Sequence, residues 1–223
     1  MRGKGLIILG FLAVFLSVNG CSTLTTEKEM SRIPYMLAVR NEPAVSIKTN
    51  VALTGSNGAA YESRARRTNI QTNVADMIVD EFTGQIRKEV PYWPKMQKSE
   101  TPLRNPIVNG RAVGDGEHYI MGFDVSYIFL SEGGADLSPN GGFCVEVYGV
   151  ATIVDPMGKL VFLQNFYYDS REHKRSIPYN RDVESRETGR YLEEEAKFAA
   201  KIIVSGLVDK FKNGPVAMFN GAI

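Results

Sequence analysis

Hydrophobic positions along the chain fall into three kinds of spacing, and each kind marks a different element. Over residues 118–130 they alternate. Tyr119, Met121, Phe123, Val125, Tyr127 and Phe129 share one parity; Ile120, Gly122, Asp124, Ser126 and Ile128 share the other. A period of two over so long a run predicts a strand with the aromatic set on one face. Residues 143–154 also alternate, with Val145, Val147, Ala151 and Ile153 on one side. Asp155-Pro156-Met157-Gly158 then has Pro at i+1 and Gly at i+3, which suits a type I turn. Residues 159–169 follow as the return strand of a hairpin. A weaker alternation through Val45, Ile47, Val51 and Leu53 predicts a strand over 44–53.

Two segments have the helical period instead. Ile70, Val74, Met77, Ile78, Phe82 and Ile86 line one face of a helix over 68–90, with Thr68 or Asn69 as N-cap and Pro91 and Pro94 as stops. Leu192, Ala196, Ala199, Ile203, Leu207 and Phe211 form the stripe of a helix over 187–212, ended by Gly214 and Pro215. Residues 59–67 fit either a helix extension or a loop. Residues 91–116, 131–142 and 170–187 read as loops, the first long and rich in Pro and Gly. The order β-α-β-β-β-α predicts an α+β fold: a three- to four-stranded, mainly antiparallel sheet with two amphipathic helices packed on one face.

The third spacing is an almost unbroken apolar run over residues 6–18, preceded by Arg2 and Lys4. Crossing a bilayer takes about 20 apolar residues, so this shorter run reads as the hydrophobic region of a signal peptide. The segment Val18-Asn19-Gly20-Cys21 resembles the lipobox of bacterial lipoproteins. That resemblance implies cleavage before Cys21, and acylation (palmitate among the chains) of its thiol and new amino terminus. The alternative is an ordinary secretory peptide with Cys21 incidental. Several acyl chains, at about 0.8 kcal/mol per buried CH₂, give stable anchoring. By the same resemblance, Ser22 in place of Asp implies the outer membrane, with the protein on its periplasmic face. The expected organisation is a lipoprotein signal peptide over 1–20, a lipid-anchored tether over 21–43, and a single α+β periplasmic domain over 44–223. Residues 33–39 are apolar enough to dock the end of the tether.

Composition narrows the function classes. The 223 residues carry 26 Lys and Arg against 25 Asp and Glu; without Arg2 and Lys4, 24 cations remain against 25 acids. That is no footprint for nucleic acid. A 43% hydrophobic content excludes a disordered chain, and two Cys exclude a disulfide-dense scaffold. With two His, no HExxH, no CxxC, no GxSxG and no phosphate-binding glycine loop, the expectation is no enzyme, no cofactor and no metal. Cys144 reads as a small buried hydrophobe, with a reactive thiol as the other reading.

Candidate contact residues remain. Tyr92 and Trp93 form an aromatic pair at the end of the first helix, suited to a partner or glycan contact or to a lid over the core. Arg64, Arg66 and Arg67, and again Arg171, Lys174 and Arg175, form cationic groups suited to lipid phosphates or a carboxylate-rich partner, or to a solvated surface.

Taken together, residues 118–130, 145–163 with Asp155 and Gly158 at the turn, and 192–211 resemble the small α/β lipoproteins of the bacterial envelope. Within these, the match over 44–212 is to the curli-secretion-channel (CsgG) and penicillin-binding-protein-activator (LpoB) type of periplasmic domain, with LptE-like auxiliary lipoproteins second. No hairpin has the strict alternation of a membrane barrel, which disfavours a pore subunit. The resemblance implies a non-enzymatic accessory lipoprotein that binds partners in an envelope assembly or export system, with a homo-oligomer among the expected partners. The alternative is a lipid- or glycan-binding transport auxiliary using the face from Tyr119 to Phe129 and Trp93. A hydrolase is a third reading, and would need Asp124, Glu146 and His118 to converge.

Overall fold

The computed structural model describes residues 22–24, 30–53, 60–99, 107–108, 111–132, 142–213 and 217–219. Its strands are β1 (Ser22–Leu24), β2 (Tyr35–Asn41), β3 (Ser46–Leu53), β4 (Ala60–Arg67), β5 (Lys95–Lys98), β6 (Ile107–Val108), β7 (Arg111–Ala112), β8 (Tyr119–Glu132), β9 (Phe143–Val154), β10 (Leu160–Asp169) and β11 (Ala217–Phe219). Its helices are α1 (Val74–Glu89) and α2 (Arg186–Asn213). No helix among the described residues is long and apolar enough to cross a membrane.

The sheet is built around β8, whose 14 residues are long enough to pair with two strands end to end. On one edge β2 runs parallel to residues 119–124, and β3 runs parallel to 129–131. Pro43 lies between β2 and β3, where a missing N–H interrupts no ladder. On the other edge β9 is antiparallel to β8, and β10 is antiparallel to β9. β5 adds parallel outside β2, and β4 adds antiparallel outside β3. The result is a mixed sheet of 7 strands, larger than the expected three- to four-stranded, mainly antiparallel one.

The extra strands lie where hydrophobic alternation is missing, for two opposite reasons. β2 sits inside the expected tether over 21–43 and is buried on both faces: Met36 and Ala38 are 0% exposed and Val39 1%. A strand covered on both sides has no polar parity to reveal it. β4 and β5 are edges rich in Arg and Lys, the usual protection of an unpaired strand. Residues 60–67 are therefore neither helix extension nor loop, and β5 interrupts the loop expected over 91–116.

A β-bulge between Val125 and Tyr127 reverses the parity of β8. Met121, Phe123 and Val125 are buried before it, and Ile128 and Leu130 after it. Tyr127 and Phe129 therefore leave the face they were expected to share with Tyr119 to Val125. Gly149 sits opposite Val125 at the bulge. A Cβ there would lie 2.3 Å from the Phe166 ring and 2.4 Å from the Asp124 carbonyl, so only glycine permits the close approach.

Both helices pack on one side of the sheet. Ile78, Phe82 and Ile86 of α1 and Leu192, Ile203, Leu207 and Phe211 of α2 share one core with Phe123, Val147, Ile153 and Phe166. α1 begins at Val74 rather than 68, and its N-cap Asn73 makes no side-chain cap. Glu42, just beyond β2, supplies the missing acceptor: it takes the Ala75 N–H at 2.7 Å and the Thr72 hydroxyl at 2.8 Å. Thr68 is occupied elsewhere, donating to the Val45 carbonyl at 2.9 Å. The helices run parallel, since Asn69 meets Glu184 at one end and Lys212 meets Glu89 at 2.6 Å at the other.

The first and last described strands pair. β1 pairs antiparallel with β11, Thr23 opposite Met218, and β11 lies against β10. Met30 is 2% exposed and belongs to the core. The segment expected as a tether is thus largely docked on the domain. Cys21, residues 1–20 and most of the 131–142 loop lie outside the described residues.

Candidate functional site

The side of the sheet opposite the helices divides into two halves. Near the start of β8 it is closed: Ile120, Thr152 and Val154 are buried. Beyond the bulge it is partly open and carries aromatic and charged side chains: Tyr167 is exposed, Tyr127, Phe129 and Tyr148 are half-buried, and Glu146 and Asp169 are buried. Ladder register aligns Tyr127, Tyr148 and Tyr167 across β8, β9 and β10. Tyr127 stacks on Tyr148 with ring centres 5.3 Å apart, and on Phe129 at 4.6 Å. Tyr167 is 45% exposed.

One register step on, Phe129, Glu146 and Asp169 form the next row. Arg171, just past β10, bridges the two carboxylates: its Nη2 lies 2.7 Å from Glu146 Oε1 and 2.7 Å from Asp169 Oδ2. Ser131 donates to Glu146 at 3.0 Å, and Tyr167 donates to Asp169 at 3.2 Å. Lys48 of β3 approaches Glu146 at 3.9 Å and lies over the Phe129 ring at 5.8 Å. Burial works against ionisation of Asp169, but hydrogen bonds from Arg171 outweigh it and hold the carboxyl below its usual range. The same bonds to Asp169 raise the Arg171 pKa despite partial burial. Burial, then the charges of Asp169 and Glu146, push Tyr167 up to about 12. At neutral pH the Tyr167 phenol is therefore neutral beside the ion-paired Asp169 and Arg171.

A second ionic group fastens the 170–177 loop. Arg175 bonds Glu195 at 2.9 Å with its guanidinium 4.2 Å over the Phe198 ring, and the Tyr168 hydroxyl donates to the same carboxylate. Lys174 is exposed at the loop tip with φ 53°. The expected Arg171, Lys174 and Arg175 group is thus split into a patch residue, a loop tip and a structural anchor.

The other expected contacts also separate. Trp93 is 2% exposed, packed edge-on to Phe82 and Phe211, so it closes the core and is withdrawn from any surface contact. Tyr92 packs against the core, half-buried. Arg64 and Arg66 share one face of β4, opposite Thr49 and Ile47, while Arg67, opposite Ser46, takes the other. Arg66 lies 3.9 Å from Glu184. Cys144 is buried. His118, Asp124 and Glu146 do not converge: His118 bonds Tyr35 at 2.5 Å and Asp115 at 2.7 Å, Asp124 accepts from Asn41, and Glu146 holds Arg171. Among the described residues no three His, Cys, Asp or Glu are grouped to hold a metal ion.

Two of the clefts among the described residues adjoin Glu184 and His118, respectively. One of about 1010 Å³ lies between the N-terminal ends of the helices, lined by Asn69, Thr72, Arg186 and Arg190 with Glu184 and Glu193. The other, of about 420 Å³, is lined by Arg32, Tyr35, His118 and Pro156. Sequence reasoning missed Tyr148, Tyr167, Glu146 and Asp169 as a group. Their signal was the second parity of residues 143–154 and 159–169, legible only as alternation without a partner.

Fold and patch together define an α+β protein whose mixed sheet is covered by helices on one side and half open on the other. No protein-family model matches the chain, and no curated protein resembles it in sequence.

Proposed function

We propose that the protein is a non-enzymatic accessory lipoprotein, anchored through Cys21 in the outer membrane and facing the periplasm. It docks a protein partner of an envelope assembly or export system, in the manner of the CsgG/LpoB-type domains it resembles. The observation that carries this reading is the aligned row Tyr127, Tyr148 and Tyr167 on the open sheet face, beside Arg171. Tyr and Arg are the residue types that dominate binding energy at protein interfaces. With Trp93 in the core, the glycan reading loses its aromatic.

The test is photo-crosslinking in cells from position 148 or 167, with Lys201 on the helical side as control. The expected result is one discrete adduct from the sheet positions and none from the control. Equal labelling at all three sites, or no adduct, overturns the docking surface. A lipid or saccharide co-purifying in native mass spectrometry would favour the transport-auxiliary reading instead.

A further inference from the structure

The end of the molecule away from the tyrosine row is built from features that belong together if Cys21 is acylated. α1 and α2 finish side by side there, joined by Lys212 and Glu89. Arg87, Lys88, Lys95, Lys210 and Lys212 are exposed at this end, against Glu89 and Asp209. Those cations offset the partial negative charge of the two helix C-termini, and they outnumber the carboxylates. Asp115 and Glu117 before β8, and Asp155 after β9, add carboxylates at this end, so the basic surface is the part carried by the two helix ends and Lys95. β11 begins four positions after the end of α2 and carries β1 on its ladder. Ser22, opposite Phe219, is next in sequence to Cys21.

We infer that this end is a membrane-docking surface: the β1–β11 ladder clasps the lipid-bearing end of the chain to it, and its lysines and arginines meet anionic phospholipid headgroups. The inference rests on the acylation of Cys21 proposed above. It removes the slack expected of a tether. With the ladder closed, the anchor leaves the domain one residue from a hydrogen-bonded strand. With it open, the anchor is no longer held at β11. A three-residue ladder is short enough to open. With the ladder closed the open sheet face is displaced from the bilayer, because the tyrosine row lies in the half of β8 beyond the bulge.

The experiment uses the full acylated chain in a Cys144→Ala background, reconstituted in phosphatidylethanolamine vesicles with and without phosphatidylglycerol. A fluorophore is placed at Lys210→Cys or at Arg186→Cys, roughly 36 Å apart along α2 at 1.5 Å per residue, and quenched by a headgroup-attached quencher. The expected result is several-fold stronger quenching at 210 than at 186, increased by phosphatidylglycerol and reduced by salt. A chain ending at Asn213, which lacks β11, is expected to bring the two sites toward equal quenching. Equal quenching in the intact chain, or stronger quenching at 186, overturns the docking surface. Mass analysis of the N-terminal peptide separates the two levels: an unacylated Cys21 overturns both the anchor and this inference, whereas an acylated Cys21 with equal quenching overturns the inference alone.

Discussion

Trp93 shows how a single residue changes meaning between chain and fold. Beside two prolines it looks like an exposed contact, yet its ring fills the space between Phe82 and Phe211. Trp93→Ala is therefore expected to lower stability by about 3–5 kcal/mol, the range for a large buried aromatic, measured by urea denaturation. Gly149→Ala is expected to cost about 1–3 kcal/mol through overpacking, because its methyl group meets the Phe166 ring and a backbone oxygen. Wild-type stability after this change would mean that the strands at the bulge separate without strain. The Arg171 cluster sets a pH dependence. Asp169 has a folded pKa below its unfolded one, so it favours the ionised folded state. Its contribution is present above the usual carboxylate range and is lost as pH falls through the depressed folded value. Arg171→Ala is expected to lower stability at neutral pH by about 2 kcal/mol, since it leaves Glu146 and Asp169 buried without their bridge, and to flatten the acid limb of the profile. An unchanged acid limb would remove Asp169 as its source.

Elements were legible in proportion to the asymmetry of their surroundings. β10 and α2 alternate between covered and less covered positions, and β9, though buried on both faces, keeps its apolar parity in Val145, Val147, Ala151 and Ile153 against Glu146 and Thr152; periodicity places all three within a residue or two of where they lie. β2 is enclosed on both sides and β4 and β5 are exposed edges, so none of the three alternates. The start of α1 was misplaced for a different reason: its cap comes from Glu42, 33 positions before the N–H it accepts. No local rule finds so distant an acceptor. Glu42→Ala is expected to cost about 1 kcal/mol, as the loss of an N-terminal cap does, and to fray the first turn of α1 in amide hydrogen exchange. Unaltered exchange in residues 74–77 would show that the helix start needs no cap from β2.

Among the described residues, helices cover one side of the sheet, the tyrosine row lies on the partly open half of the other, and β1 and β11 pair beside β10. Tyr148→Ala leaves the core untouched and is expected to keep wild-type stability while abolishing the crosslink from position 167. Loss of folding together with the crosslink would return Tyr148 to a structural role. Light scattering of the intact protein adds the oligomeric state. A discrete oligomer that dissociates on Tyr148→Ala would make a second copy the partner of the sheet face.

From the order of residues alone came the α+β class, both helices and the β8–β9–β10 meander, because each depends on spacing within one continuous segment. The seven-strand sheet, the bulge that turns Tyr127 and Phe129 outward, the Glu42 cap, the Arg171 bridge and the pairing of β1 with β11 emerged only in three dimensions. Each of these joins residues far apart in sequence, and a side chain's partner across a sheet leaves no trace in its own neighbourhood along the chain.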